Sequence, residues 1–368
     1  MKLFKSLLVA PATLGLLAPL SATANELNLN DVSGYSSSEE IQNISEFNPA
    51  EELAVTNSRV DGLEARFNNF EAGGFSETTS ASFGVDMLVG AVDGGTSEAA
   101  TFDYQMGIGL ETSFTGEDSL SATIDIGNAS SVVGGADGLN FDSTSDALVL
   151  DGLTYTFPVG GATVMVGDNT DISGVYSGAC AYSAFTDYMG NCGTGNSVGV
   201  GGNGATAAMS YAFDSGFTLA GGISSTPTSL LTEEGTDTFG IEAAYSGDSY
   251  AVSVAYADAE TTTYWGINGT YAFDFATLSA GVESADADAS DTATGFFVGL
   301  SFADVGAGSL DIGMGTTGNF TDTDTEYYTY EASYAYPVND GMTITPGVYI
   351  VEGATDVTGF AVKTSFSF

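Results

Sequence analysis

Residues 358–368 read TGFAVKTSFSF. Phe360, Val362, Thr364, Phe366 and Phe368 occupy alternate positions, with Gly359, Ala361, Lys363, Ser365 and Ser367 between them. A period of two sends successive side chains to opposite faces of a β-strand, so one face here is apolar and the other small and polar. Lys363 falls on the polar face, and no other Lys or Arg follows Arg66.

The same alternation recurs upstream. In SYAVSVAYAD, Tyr250, Val252, Val254 and Tyr256 alternate with Ser249, Ala251, Ser253 and Ala255. In EYYTYEASYAY, Tyr328, Tyr330, Ala332, Tyr334 and Tyr336 stand opposite Thr329, Glu331, Ser333 and Ala335. From residue 76 onward such segments predict strands at 78–91, 101–114, 119–127, 147–157, 162–168, 204–213, 216–224 and 236–246. The series continues at 249–257, 262–273, 275–283, 293–303, 308–316, 325–336, 341–351 and 356–368, giving 16 in all. Connections after even strands are short, as in YPVNDG and SGDS, whereas those after odd strands are mostly longer and acidic. That asymmetry belongs to a transmembrane β-barrel. A β-sandwich or β-helix gives period-two strands without a reason for alternating loop lengths.

Composition decides which face meets which solvent. The chain has 368 residues, with five Lys or Arg against 48 Asp or Glu. Nucleic acid and anionic lipid surfaces are not the partners expected of this balance, because both need basic patches. Yet 43% of residues are hydrophobic, with 18 Tyr and 23 Phe, so the chain is not a disordered acidic tail. Those apolar faces would overfill a small interior, so they point outward to lipid. Tyr155, Phe157, Tyr211, Phe213, Tyr271, Phe273 and Tyr336 fit an interfacial girdle on the short-turn side. The lumen then receives Asp86, Asp103, Glu111, Asp125, Glu242, Glu283, Asp311, Glu331 and the single cation Lys363. Each carboxylate taken alone reads equally as a solvated wall residue. Together they predict a negative pore field that concentrates cations. Phe360, Val362, Phe366 and Phe368 are the expected recognition signal for the barrel-assembly machinery of the outer membrane. Histidine is absent, which removes Ser-His-Asp and Cys-His chemistry; no enzyme is expected, and no catalytic or metal-ligating set.

The first residues predict a secretory signal over 1–24: a basic start at Lys2 and Lys5, an apolar run, and small residues at Ala22 and Ala24. Pro11, Gly15 and Pro19 argue against a membrane-spanning anchor there. Residues 25–49 are polar and turn-rich. Over 50–74 Leu53, Thr56, Val60, Leu63, Phe67 and Phe70 fall at heptad spacing, predicting a helical stalk in the periplasm that either pairs as a coiled coil or packs on its own barrel. Residues 75–368 form the predicted barrel domain.

The longest connection follows the fifth strand and holds both cysteines, Cys180 and Cys192. An even pair in a secreted chain predicts a disulfide, against the alternative of two thiols. Acidic runs at Asp286, Asp288 and Asp291, and at Asp322, Asp324 and Glu326, offer weak Ca²⁺ or Mg²⁺ contacts without the spacing of an EF-hand; solvated loop tips are the plainer account, and no cofactor is expected.

Three stretches carry a family likeness. LDGLTYTFPVGGATVMVG (150–167), YEASYAYPVNDGMTITPGVYIV (330–351) and RVDGLEARFNNFE (59–71) resemble two barrel hairpins and the coiled-coil linker of cyanobacterial outer-membrane porins of the carbohydrate-selective porin superfamily. That resemblance implies homotrimers and passive diffusion of small hydrophilic solutes and ions, and by analogy a third long loop folded into the lumen. It departs from the family pattern at ISEFNPAEELAV, which leaves no room for the usual S-layer-homology domain, so peptidoglycan anchoring through it is not expected. The alternatives are a structural outer-membrane barrel of little conductance and a secreted adhesin-like β protein.

Overall fold

The computed structural model describes residues 79–94, 100–129, 139, 141, 143–189, 204–232, 235–288, 292–318 and 326–368. The predicted signal segment, the stalk with Leu53, Val60, Leu63, Phe67 and Phe70, and Cys192 lie outside the described residues.

Sixteen strands close into one antiparallel barrel. They are β1 Thr79–Asp93, β2 Ala100–Thr112, β3 Ser119–Gly127, β4 Val149–Val159, β5 Ala162–Thr170, β6 Gly204–Ala212, β7 Phe217–Ser225 and β8 Asp237–Ser246. The second half is β9 Tyr250–Ala259, β10 Thr262–Ala272, β11 Thr277–Ala287, β12 Ala293–Val305, β13 Gly308–Thr316, β14 Tyr328–Asn339, β15 Met342–Val351 and β16 Val357–Ser367. Every strand pairs with its sequence neighbours, and β16 returns to β1 with Gly84 opposite Ser367 and Asp93 opposite Thr358. Closure removes the unpaired edges that an open sheet would carry. Phe83 and Phe368 finish the seam, each backbone N–H donating to the other's carbonyl at 3.0 and 3.1 Å.

The alternation read from sequence is clearest on β8 and β9. Phe239, Ile241, Tyr250, Val254 and Tyr256 are exposed on the outside, while Thr238, Glu242, Ser253, Ala255 and Ala257 are buried on the inside. Short turns join the even strands to the odd ones. Gly160, at φ 63°, makes the two-residue β4–β5 turn, a left-handed conformation that glycine adopts without strain. Rings gather at this end: Tyr211 and Phe213 lie 4.8 Å apart, Phe217 and Tyr245 4.8 Å, and Tyr271 and Phe273 4.6 Å.

Connections after odd strands are mostly the longer ones, as expected, with β9–β10, only Glu260 and Thr261, the short case. One expectation needs correction: the inner face is not wholly polar. Leu88, Val92, Met165, Phe297 and Tyr349 point inward and are buried, because loops cover them and supply an apolar environment.

Candidate functional site

The cover is the connection after β5. Asp171 starts it by accepting the Ser173 N–H at 2.8 Å, capping a short 3-10 turn over Ile172–Val175. Ile172 and Val175 then pack on the inner faces of β5, β6 and β7 with Met165, Ala208 and Ala220. From Tyr176 the chain runs along the inner wall rather than out into solvent.

A non-helical, non-sheet segment laid inside a barrel must find partners for its backbone N–H groups. Here the wall supplies them in strand order. Glu242 on β8 accepts from Ser177 N–H at 2.7 Å and Gly178 N–H at 3.0 Å, and is steadied by the Ser253 hydroxyl at 2.8 Å. Asn268 on β10 accepts from Ala179 N–H at 2.9 Å, and Ser279 on β11 from Ala181 N–H at 3.2 Å. Glu331 on β14 takes four: the Tyr182 hydroxyl at 2.8 Å, and the N–H groups of Phe185 and Thr186 and the Thr186 hydroxyl at 2.7 Å each. The loop leaves through a bridge between Met189 and Thr317 and a Gly318 N–H bond to the Tyr188 carbonyl at 2.7 Å.

These anchors explain how carboxylates are tolerated inside. Glu242 and Glu331 are 2% and 4% exposed, and an unpaired buried carboxylate costs several kcal/mol. With one basic residue after Arg66, ion pairs cannot compensate them; backbone N–H and hydroxyl donors do. Glycines make the room. Gly299 and Gly313 face each other across β12 and β13 beneath the Tyr182 ring, and Gly347 on β15 lies beneath Phe185. A Cβ at Gly347 would come within 2.4 Å of that ring. Burial raises the Tyr182 phenol well above its usual range, with the Glu331 carboxylate adding to the effect, so the hydroxyl stays protonated and donates.

The sequence-derived candidates therefore divide by place. Glu242 and Glu331 hold the loop rather than facing open water. Glu283 is also buried, between Gly266 and Gly295 on neighbouring strands. Asp311 is half-buried between Ser301 and Ser333. The other four acids lie together on β1–β3. Asp86 Oδ2 accepts from Gln105 Nε2 at 2.9 Å, Asp125 stands opposite Gly107, and Glu111 is exposed between Ser80 and Ser121. Asp103 is 3% exposed, opposite Leu88, and its Oδ2 has no hydrogen-bond partner among the described residues. Lys363 shares the inner face of β16 with Ala361 and Ser365, opposite Leu88 and Thr345.

Cys180 is disulfide-bonded and packs near Tyr182, Met189 and Phe297. Phe360, Val362, Phe366 and Phe368 take the outer side of the β16 seam; Phe368 is 77% exposed and stacks on Phe83 at 5.8 Å. Asp286 accepts from the Thr292 hydroxyl at 3.0 Å, while Asp291, Asp322 and Asp324 lie outside the described residues. Among the described residues no group of three or more Cys, Asp or Glu is arranged to hold a metal ion. Residue-by-residue reading missed Asn268, Ser253, Ser279 and the glycine seats. The available signal was glycine recurring on the inward register of β12, β13 and β15, where an uncovered wall has no need of it.

No family model matches the chain. A curated, uncharacterized protein of Nostoc sp. is 37% identical over 131 residues, 31% of this chain, and the match spans 23% of that protein's length. Among solved structures, Pseudomonas putida OprB superposes with a TM-score of 0.63 at 14% identity, covering 81% of this chain and 97% of that one. A Rh. blastica porin variant gives 0.58 at 17% identity, over 79% of this chain and 100% of its own. A loop-deleted OmpT, an outer membrane protein of Vibrio cholerae, gives 0.56 at 10% identity over 79% and 100%. At these identities the likeness is one of fold.

Proposed function

We propose that this chain is an outer-membrane channel of the porin type, passing small hydrophilic solutes and ions by passive diffusion and preferring cations. The observation that carries this reading is the division of the barrel. Its outside is an apolar surface of Val, Ile, Leu, Phe and Tyr, and inside it one long loop lies against β5–β15 while acids gather on β1–β3. Porin-fold neighbours support the same reading. Transport of this kind needs no cofactor and no chemical step. Asp86, Asp125 and Glu111 would set the sign of the field where the wall is not covered by the loop. Purified protein in planar bilayers under a KCl gradient should give a zero-current potential of cation-selective sign, reduced in Asp86→Asn with Asp125→Asn; anion selectivity overturns the preference.

The proposal extends to the organisation expected from sequence: a cleaved signal, a periplasmic stalk over residues 50–74, homotrimers, insertion by the barrel-assembly machinery through the β16 aromatics, and membership of the cyanobacterial carbohydrate-selective superfamily. Cross-linking the intact protein in mild detergent tests the trimer, and a monomeric product counts against it. A second reading, a structural barrel plugged by its own loop, draws on the burial of Ile172, Ala179, Phe185 and Met189 against the wall. It predicts no conductance steps from correctly inserted protein.

A further inference from the structure

Lys363 is the only basic residue that the barrel strands contribute. An ammonium in so acidic a lumen is expected to pair with a carboxylate, yet among the described residues Lys363 makes no ion pair within 4.0 Å. The register shows why. Its directly facing neighbours are Leu88 on β1 and Thr345 on β15, neither of which carries charge. Asp86 is one inward step along β1, opposite Ser365, and its Oδ2 is engaged by Gln105. A diagonal cross-strand pair of this kind is separated by roughly 7–8 Å between backbones, within electrostatic reach without contact.

The position of the lysine matters as much as its isolation. Ala361 and Gly347, the next inward residues on β16 and β15, face one another, and Phe185 of the inner loop is seated on Gly347. Lys363 thus stands one inward position along the wall from the place where Phe185 of the loop is seated.

We propose that Lys363 is a specificity-determining residue that lets monovalent cations pass in preference to divalent ones. The inference rests on the channel reading and deepens it. Acids on the wall attract a divalent ion twice as strongly as a monovalent ion, so an acidic pore without a counter-charge would fill with Ca²⁺ or Mg²⁺ and conduct K⁺ poorly. A tethered ammonium reverses part of that bias, because it also repels a divalent ion twice as strongly. It supplies a monovalent countercharge to Asp86 that a mobile divalent ion must work against. One unit charge at the diagonal spacing, in a water-like dielectric and before salt screening, changes the divalent-to-monovalent ratio by about 2.5-fold.

The test is a bi-ionic reversal potential, KCl against CaCl₂, with the full-length protein in planar bilayers at about 0.1 M salt, where the Debye length is about 10 Å. Lys363→Gln should raise the Ca²⁺-to-K⁺ permeability ratio by about 1.5-fold once salt screening is included, whereas Lys363→Arg should keep the wild-type ratio. A conducting Lys363→Gln channel with an unchanged ratio overturns the inference alone, as does an equal shift in Lys363→Arg, which would make the effect one of shape. No conductance from any of the three proteins overturns the channel reading and this inference with it.

Discussion

The Tyr182 ring lies directly over Gly299: a Cβ on that glycine would fall 2.4 Å from the ring. Across the strand pair, a Cβ on Gly313 would meet the phenol oxygen at 2.6 Å, and that hydroxyl donates to Glu331 at 2.8 Å. Loop and wall are therefore fitted to one another through the missing side chains of two glycines.

Filling the seat should lift the loop. Gly299→Val or Gly313→Val is expected to destabilise the barrel by about 1–3 kcal/mol and to expose the loop to protease. If the loop narrows the lumen, single-channel conductance rises as well. Limited proteolysis of detergent-solubilised protein reads the first effect, and a loop as resistant as wild type counts against the fit.

The two carboxylate anchors should not be equal. Each Glu331 oxygen accepts from one backbone N–H and one hydroxyl, so a glutamine in either orientation leaves one N–H facing an NH₂ and forces one hydroxyl to turn from donor to acceptor. Glu242 Oε2 accepts only the Ser177 N–H, so Glu242→Gln can lose a single bond. Buried donors left unpaired cost about 1–3 kcal/mol each. Each variant is therefore expected to lower unfolding stability by about 1–3 kcal/mol, with Glu331→Gln the larger loss because a hydroxyl bond must also reverse. Denaturant midpoints in the same detergent check the order, and the reverse order refutes the assignment.

The seam between β1 and β16 should show a ring coupling. Phe83 and Phe368 stack with centroids 5.8 Å apart and planes 13° from parallel. A double-mutant cycle with both alanine variants should give an interaction of about 0.5–1.5 kcal/mol, measured from the temperature of the heat-dependent gel shift.

Asp118, in the β2–β3 turn, should give a pH signature. Its carboxylate accepts from the N–H groups of Phe114 and Thr115, and from the hydroxyls of Ser113, Thr115 and Tyr155. Hydrogen bonding, led by the Thr115 N–H, holds the carboxyl well below the usual carboxylate range against an opposing effect of burial. A group depressed in the folded state contributes its stability above the unfolded value and loses it as pH falls through the folded one. Asp118→Asn should therefore melt earlier than wild type at neutral pH. The gap should close only below about pH 4; a gap of constant size from pH 7 to 3 excludes the linkage.

The strand plan was legible because, apart from the β1–β16 seam, each strand pairs only with its sequence neighbours and one side of each meets a different solvent, so a period of two is written directly into the chain. All 16 predicted strands occur, with ends shifted by a few residues: the predicted 325–336 became Tyr328–Asn339, and 275–283 became Thr277–Ala287. The candidate site was legible only as a set of inward positions. Glu242, Asp86 and Glu331 look alike in sequence, each an acid between apolar neighbours. What separates them is whether a loop distant in sequence comes to lie on them.

The sequence by itself thus determined the barrel, its inside and outside, and the isolation of one lysine among acids, since these depend on local period and composition. The tertiary structure decided which acids are spent as anchors and where Lys363 stands. The loop's backbone N–H groups need acceptors, and they find them on strands 64 to 146 residues away. The lysine of TGFAVKTSFSF has no close carboxylate partner among the described residues because Leu88 and Thr345 flank it, and it stands beside the loop because Phe185 fits over Gly347 one step along the wall.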